Sequence, residues 1–111
     1  MSRITTHILD TAIGKPAAGV AVGLYLEEGG EFKELLSQTT DGDGRVKNFG
    51  DESLGCGVYK LVFNIGEYFE GQNREVFFPR ADLVFKVSSS SEHYHVPLLL
   101  SGFGYSTYRG S

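Results

Sequence analysis

Cysteine occurs once in the 111 residues, as Cys56, so no disulfide can close within the chain. A reduced, intracellular setting is compatible with that count, and the turn-like Leu54-Gly55-Cys56-Gly57 makes the thiol a small residue at a strand entrance. Nothing approaches the roughly twenty apolar residues of a membrane span. Residues 1–7 lack the apolar core of a secretory signal, and the terminal Arg109-Gly110-Ser111 is not a peroxisomal address, which leaves the cytoplasm as the expected location. The formal net charge is -4, yet neither sign forms a block, so neither nucleic acid nor an anionic membrane is expected as a partner. Methionine also occurs once, which together with fifteen glycines suits short strands and many turns better than a helical bundle.

Hydrophobic residues make up 41% of the chain and include eight Phe and six Tyr, which argues for a folded globule rather than disorder. A single domain over residues 1–111 is expected, burying roughly two thirds of the surface of its unfolded chain, with no internal repeat or linker to divide it. Alternation at period two predicts strands at 4–10, 20–26, 31–39, 58–65, 83–87 and 94–100, with a tight return at Gly29-Gly30 and a polar loop at 88–92. Residues 67–73 read as one or two helical turns, with Pro79 barring any continuation. Asp41-Gly42-Asp43-Gly44-Arg45 starts like a calcium loop but places Arg45 where a further acidic or Asn ligand belongs. It therefore reads as tight turns that deliver Arg45 to a strand entrance. About eight short strands and one short helix predict an all-β chain folded as a two-sheet antiparallel sandwich.

The closing nineteen residues, HYHVPLLLSGFGYSTYRGS, read as a hairpin. Tyr94, Val96, Leu98 and Leu100 share one face of its first strand, and His93, His95, Pro97, Leu99 and Ser101 share the other. Both faces are apolar, so one serves the core and the second needs cover, most simply from another subunit. His95 stands in that second face, where an imidazole with an ordinary pKa of about 6.5 is a candidate acid/base group. His7 holds a similar place in 4–10, between Thr5 and Leu9, and antiparallel neighbouring strands would bring the two histidines within side-chain reach. In the final run Tyr105 is the natural core aromatic, which turns Tyr108 to the His95 side. Arg109 then falls on the core parity, so the strand is expected to end there and release the guanidinium to solvent or a carboxylate.

The ending Tyr108-Arg109-Gly110-Ser111, preceded by His95-Val96-Pro97-Leu98-Leu99-Leu100-Ser101, resembles the C-terminal signature of the 5-hydroxyisourate hydrolases, the purine-degrading branch of the transthyretin family. Thr5-Thr6-His7-Ile8-Leu9-Asp10-Thr11, followed by Gly14-Lys15-Pro16-Ala17, resembles their N-terminal motif, so the two matches bracket the chain. The resemblance implies a transthyretin-type sandwich of two four-stranded sheets with a short helix after the strand at 58–65. It implies a homotetramer, a dimer of dimers, with sites in a channel where sheets of different subunits face each other, and no cofactor or metal. The implied reaction is hydrolytic opening of the pyrimidine ring of 5-hydroxyisourate to 2-oxo-4-hydroxy-4-carboxy-5-ureidoimidazoline. Carried onto this chain, catalytic roles fall on His7, Arg45, His95 and Ser111, and substrate contacts on His7, Arg45, Tyr108, Arg109 and Gly110. A neutral histidine, His7 or His95, takes the water proton; Arg45 polarises the carbonyl and holds the ring; Tyr108 and Ser111 orient ring substituents and the leaving nitrogen. Two other readings attach to the same residues. His93 and His95 at i, i+2, with His7 as a third ligand, would suit a zinc hydrolase, and the inter-subunit channel would suit a non-enzymatic carrier of small aromatic ligands. A purely structural module leaves the paired terminal motifs unexplained.

Overall fold

Period-two alternation becomes a dry face and an outer face in strand after strand of the computed structural model, which describes residues 3–49, 54–89 and 91–110. In β1 (Arg3–Asp10) Ile4, Thr6 and Ile8 sit in the core, while Thr5, His7 and Leu9 take the opposite side. A two-residue β2 (Lys15–Pro16) leads to β3 (Ala21–Glu28), whose Val22 and Leu24 are fully buried. Gly29 and Gly30, both at positive φ, return the chain into β4 (Glu31–Thr39). β5 (Arg45–Val46) follows the Asp41–Gly44 turn. Then come β6 (Gly57–Phe63), the helix α1 (Ile65–Glu70), β7 (Ala81–Val87), β8 (His93–Leu100) and β9 (Tyr105–Thr107).

One sheet has the order β2-β1-β8-β9 with β5 also paired to β1; the other has the order β4-β3-β6-β7. Tyr94, Val96, Leu98 and Leu100 of β8 face Leu24, Leu61 and Phe63 across the sandwich, and each such fully buried side chain contributes roughly 1.5–3 kcal/mol. The expected sandwich is present. Its β1-containing sheet holds five strands rather than four, because both β2 and β5 lie along β1, pairing at Leu9–Asp10 and at Thr6–His7.

Three local expectations are corrected. β1 and β8 run parallel, not antiparallel, with Thr5 opposite His95 and His7 opposite Pro97. Hairpin logic applies to strands joined by a turn, whereas these two stand at opposite ends of the chain and take their direction from the winding of the whole sandwich. The helix begins at Ile65, earlier than the predicted 67, because Ile65 and Phe69, four apart, both insert into the core. Tyr105 is 37% exposed rather than a core residue. β9 is a three-residue edge strand, and there Tyr105 meets the Phe78 ring edge-on at 5.4 Å, outside the packed centre.

The C-terminal end of β1 is tied to the helix region by Asp10. Its fully buried carboxylate accepts hydrogen bonds from Tyr68 Oη at 2.8 Å, Arg74 Nη1 at 2.6 Å and the Ala12 backbone N–H at 3.2 Å. Burial alone pushes the carboxyl up; the bonds from Arg74 and Tyr68, with the Arg74 charge, outweigh it and hold the group below the ordinary carboxylate value.

Candidate active site

The outer face of the five-stranded sheet gathers the residues capable of chemistry. The parallel register sets Arg3 beside His93 and Thr5 beside His95, and strand parity turns Thr5, His7, His93 and His95 to the same side. Thr5 Oγ1 lies 2.7 Å from His93 Nε2 and 2.8 Å from His95 Nδ1. Arg45 arrives from the neighbouring β5. Asp41 Oδ1 accepts the backbone N–H groups of Asp43 and Arg45, and Gly44 at φ +72° closes the turn, so that Arg45 pairs with His7 in the ladder. A side chain at Gly44 would meet the Ile8 carbonyl oxygen at 2.6 Å, so glycine is required both by φ and by space.

Together these elements frame a concavity of about 550 Å³ lined by Arg3, Thr5, Arg45, Lys47, His93 and His95 among others. His7 stands next to Thr5's position along the same face of β1. All three imidazoles are pushed below the ordinary histidine value. For His7 the causes are burial and then Arg45, against a bond to the Asp43 backbone and the Asp43 and Asp41 charges, which pull the other way. For His95 they are burial, then His93, Arg45 and His7; for His93, burial and then Arg3. The result is three imidazoles biased toward the neutral form, two of them, His93 and His95, inside a cationic rim, suited to an electron-rich or anionic planar substrate and to taking a proton from water.

His7, Arg45 and His95 are therefore brought together. Gly110 joins them. Its backbone N–H donates to the His95 carbonyl at 2.8 Å, and a Cβ there would fall 2.6 Å from His95 Cδ2, so only glycine lets the terminal segment lie against that ring. Tyr108 and Arg109 do not line this concavity within one protomer. They border a smaller apolar cleft of about 270 Å³ between the open edges of β7 and β9, and Tyr108 is 57% exposed. Arg109 leaves the strand as the parity of the last run requires: β9 ends at Thr107, and the guanidinium stacks on the Tyr94 ring at 4.4 Å and pairs with Glu92 at 3.3 Å. Ser111 lies outside the described residues.

Sequence reasoning passed over Arg3, Thr5 and Lys47. A cation at a strand end ordinarily reads as solvated surface, and a threonine in a strand reads as a good β-former. Only the β1–β8 register, linking positions ninety residues apart, reveals the Thr5 hydroxyl as the partner of His95. His93 was visible as a possible metal ligand paired with His95, with His7 as the third; its Nε2 instead faces Thr5, and no group of three or more His, Cys, Asp or Glu side chains gathers to hold a metal ion among the described residues.

Comparison with known proteins identifies the family and the fold. The 5-hydroxyisourate hydrolase of Caulobacter vibrioides is 48% identical over 115 aligned positions that span 100% of both chains. The solved Klebsiella pneumoniae 5-hydroxyisourate hydrolase superposes with a TM-score of 0.90 at 39% identity, covering 100% of each chain. Sea bream transthyretin in complex with thyroxine gives a TM-score of 0.90 at 28% identity, covering 97% of this chain and 94% of that one. With the model of the HIUase/Transthyretin family matched over residues 4–110, the chain belongs to that family.

Proposed function

We propose that the chain hydrolyses 5-hydroxyisourate to 2-oxo-4-hydroxy-4-carboxy-5-ureidoimidazoline in purine catabolism. The observation that carries this reading is the convergence of His7, Arg45 and His95 on one outer sheet face, with Arg45 and His95 lining a cationic concavity large enough for a bicyclic ring. Full-length matches to named hydrolases, at 48% and 39% identity, support it. A neutral imidazole takes the proton of the attacking water, a contribution of roughly 10²- to 10⁴-fold. Arg45 opposes the negative charge that develops on the carbonyl oxygen, worth about 10²- to 10³-fold. Gly110 lies against the His95 ring, and the orienting role of Ser111 rests on the resemblance of the terminal motif.

The active form is a homotetramer, a dimer of dimers. Two features support it: β7 and β9 each have one unpaired edge among the described residues, and the outer sheet face that holds His95 also carries the partly exposed Leu99. Tyr108 and Arg109, which lie away from the concavity of their own protomer, then reach substrate across an interface between copies. A cytoplasmic location suits the exposed thiol of Cys56, which reducing conditions would keep free.

The deciding experiment follows the absorbance of freshly generated 5-hydroxyisourate with purified protein. Catalysed loss well above the spontaneous rate, saturating with substrate, is the expected result. Saturable binding of aromatic ligands with no turnover would instead make the chain a carrier, in the manner of the thyroxine-bound transthyretin it superposes on.

A further inference from the structure

One hydroxyl serves two imidazoles: Thr5 Oγ1 sits between His93 Nε2 and His95 Nδ1, at 2.7 and 2.8 Å. A hydroxyl has a single proton and two lone pairs, so it can donate to at most one of the two nitrogens. Two arrangements use that proton within the pair. In the first, Thr5 donates to His95 Nδ1 and accepts from His93 Nε2–H; His95 then carries its proton on Nε2 and has no lone pair left for water. In the second, Thr5 accepts from His95 Nδ1–H and donates to His93 Nε2, which frees the lone pair of His95 Nε2. Of the two, the second makes His95 a base. It also tolerates the imidazolium formed after proton transfer, because that cation still needs an acceptor at Nδ1–H.

We propose that Thr5 and His93 are positioning residues that hold His95 as the Nδ1–H tautomer, leaving Nε2 to take the proton of the attacking water. The inference deepens, and rests on, the hydrolase reading above. Several observations favour the second arrangement. Thr5 is only 7% exposed, so water competes poorly for its hydroxyl. His93 is the exposed member of the pair, and its Nδ1–H has solvent to donate to. The two rings stand 6.2 Å apart and tilted at 51°, bridged rather than stacked. On its other side the His95 ring is braced by the Gly110 backbone. The charged and titratable groups around the pair are Arg3 and His7 on β1, Arg45 on β5 and Lys47 just beyond it. Every one of these that carries charge is cationic and opposes a proton on His95, so the Thr5 acceptor supplies what the rim does not.

The step balances as follows. Water passes a proton to His95 Nε2 while its oxygen bonds to the ring carbonyl carbon, and the carbonyl π pair moves onto oxygen beside Arg45. Collapse of that intermediate breaks the ring C–N bond, and the same proton passes from Nε2 to the leaving nitrogen.

The test combines a tautomer readout with kinetics on the intact protein. Long-range ¹H–¹⁵N spectra of histidine-labelled wild type, recorded above the histidine titration range, are expected to show His95 protonated at Nδ1. Thr5→Val, nearly isosteric, is expected to mix the His95 tautomers, lower kcat about tenfold as a fraction of the general-base effect, leave KM nearly unchanged and move the acid limb of the pH profile. Thr5→Ser should restore both the tautomer and most of kcat. His95 protonated at Nε2 in the wild type, or Thr5→Val keeping both tautomer and kcat, overturns the proposal. Wild-type turnover is measured first: its absence overturns the hydrolase reading, and the spectra then decide the positioning of His95 independently of it.

Discussion

His7, His93 and His95 are each pushed below the ordinary imidazole value, first by burial and then by neighbouring cations or by one another. A base of this kind works when neutral, so activity is held at neutral pH and lost as pH falls through the lowered value. The acid limb of kcat/KM is therefore expected below pH 6.5, the ordinary value from which all three are displaced. A pH–rate profile with its limb above that point would contradict the electrostatics described here. Arg45→Ala is expected to cut kcat by about 10²- to 10³-fold with the fold intact, since Arg45 is an exposed residue at the start of β5; circular dichroism beside the assay separates the two effects. Gly110→Ala tests the approach of the terminus. The added Cβ would sit 2.6 Å from His95 Cδ2 and displace the ring or the tail, so kcat falls at least tenfold while thermal stability hardly changes, read by assay and melting curve. At this scale His7, Arg45, His95 and Gly110 were legible in the sequence because motifs mark them. Thr5 was not, because a hydroxyl acquires its role only from the ring nitrogens that a distant strand sets beside it.

At the scale of elements, the alternating strands were legible and their directions were not. Val22 and Leu24, or Tyr94 and Val96, declare their buried face by period alone. Nothing local says that β8 lies parallel to β1, or that the short strand expected after the Asp-Gly turns joins β1 at Thr6–His7. The Asp10–Tyr68–Arg74 lock was hidden for the same reason: it joins β1 to α1 and the segment after it across some sixty residues. Arg74→Ala leaves a buried carboxylate short of its cation and is expected to destabilise the fold by about 3 kcal/mol, measured by urea unfolding. The pH dependence has a definite sign. Asp10 titrates below its ordinary 3.8 in the folded chain, so its contribution is complete above that value and is lost as pH falls through the lowered one. Wild type is expected to lose stability through that acid window more steeply than Arg74→Ala; equal slopes would show that the lock does not carry the acid sensitivity.

For the whole molecule, the question is what covers the surfaces that a single copy leaves open. Phe77 is 61% exposed and Phe103 65%, their ring centroids 6.3 Å apart, and with Phe78 and Tyr105 they form an aromatic ridge beside the free edges of β7 and β9. Rings this exposed contribute little to their own protomer and a great deal to an interface, where aromatic anchors dominate the binding energy. The two-faced β8 poses the same requirement on the outer side of the sheet, where Leu99 and the site residues share one surface. Sedimentation of the purified chain is therefore expected to give a species of about four times the 12.1 kDa protomer mass. Phe77→Asp places a charge on the ridge without touching the core, so the protomer should keep its strand spectrum while the assembly shifts to smaller species. If Tyr108 and Arg109 serve the site of another copy, activity per chain falls in step with the loss of the large species as the variant is diluted. A dissociated variant with full activity per chain would mean that each protomer completes its own site, and the interface would then have no part in the chemistry.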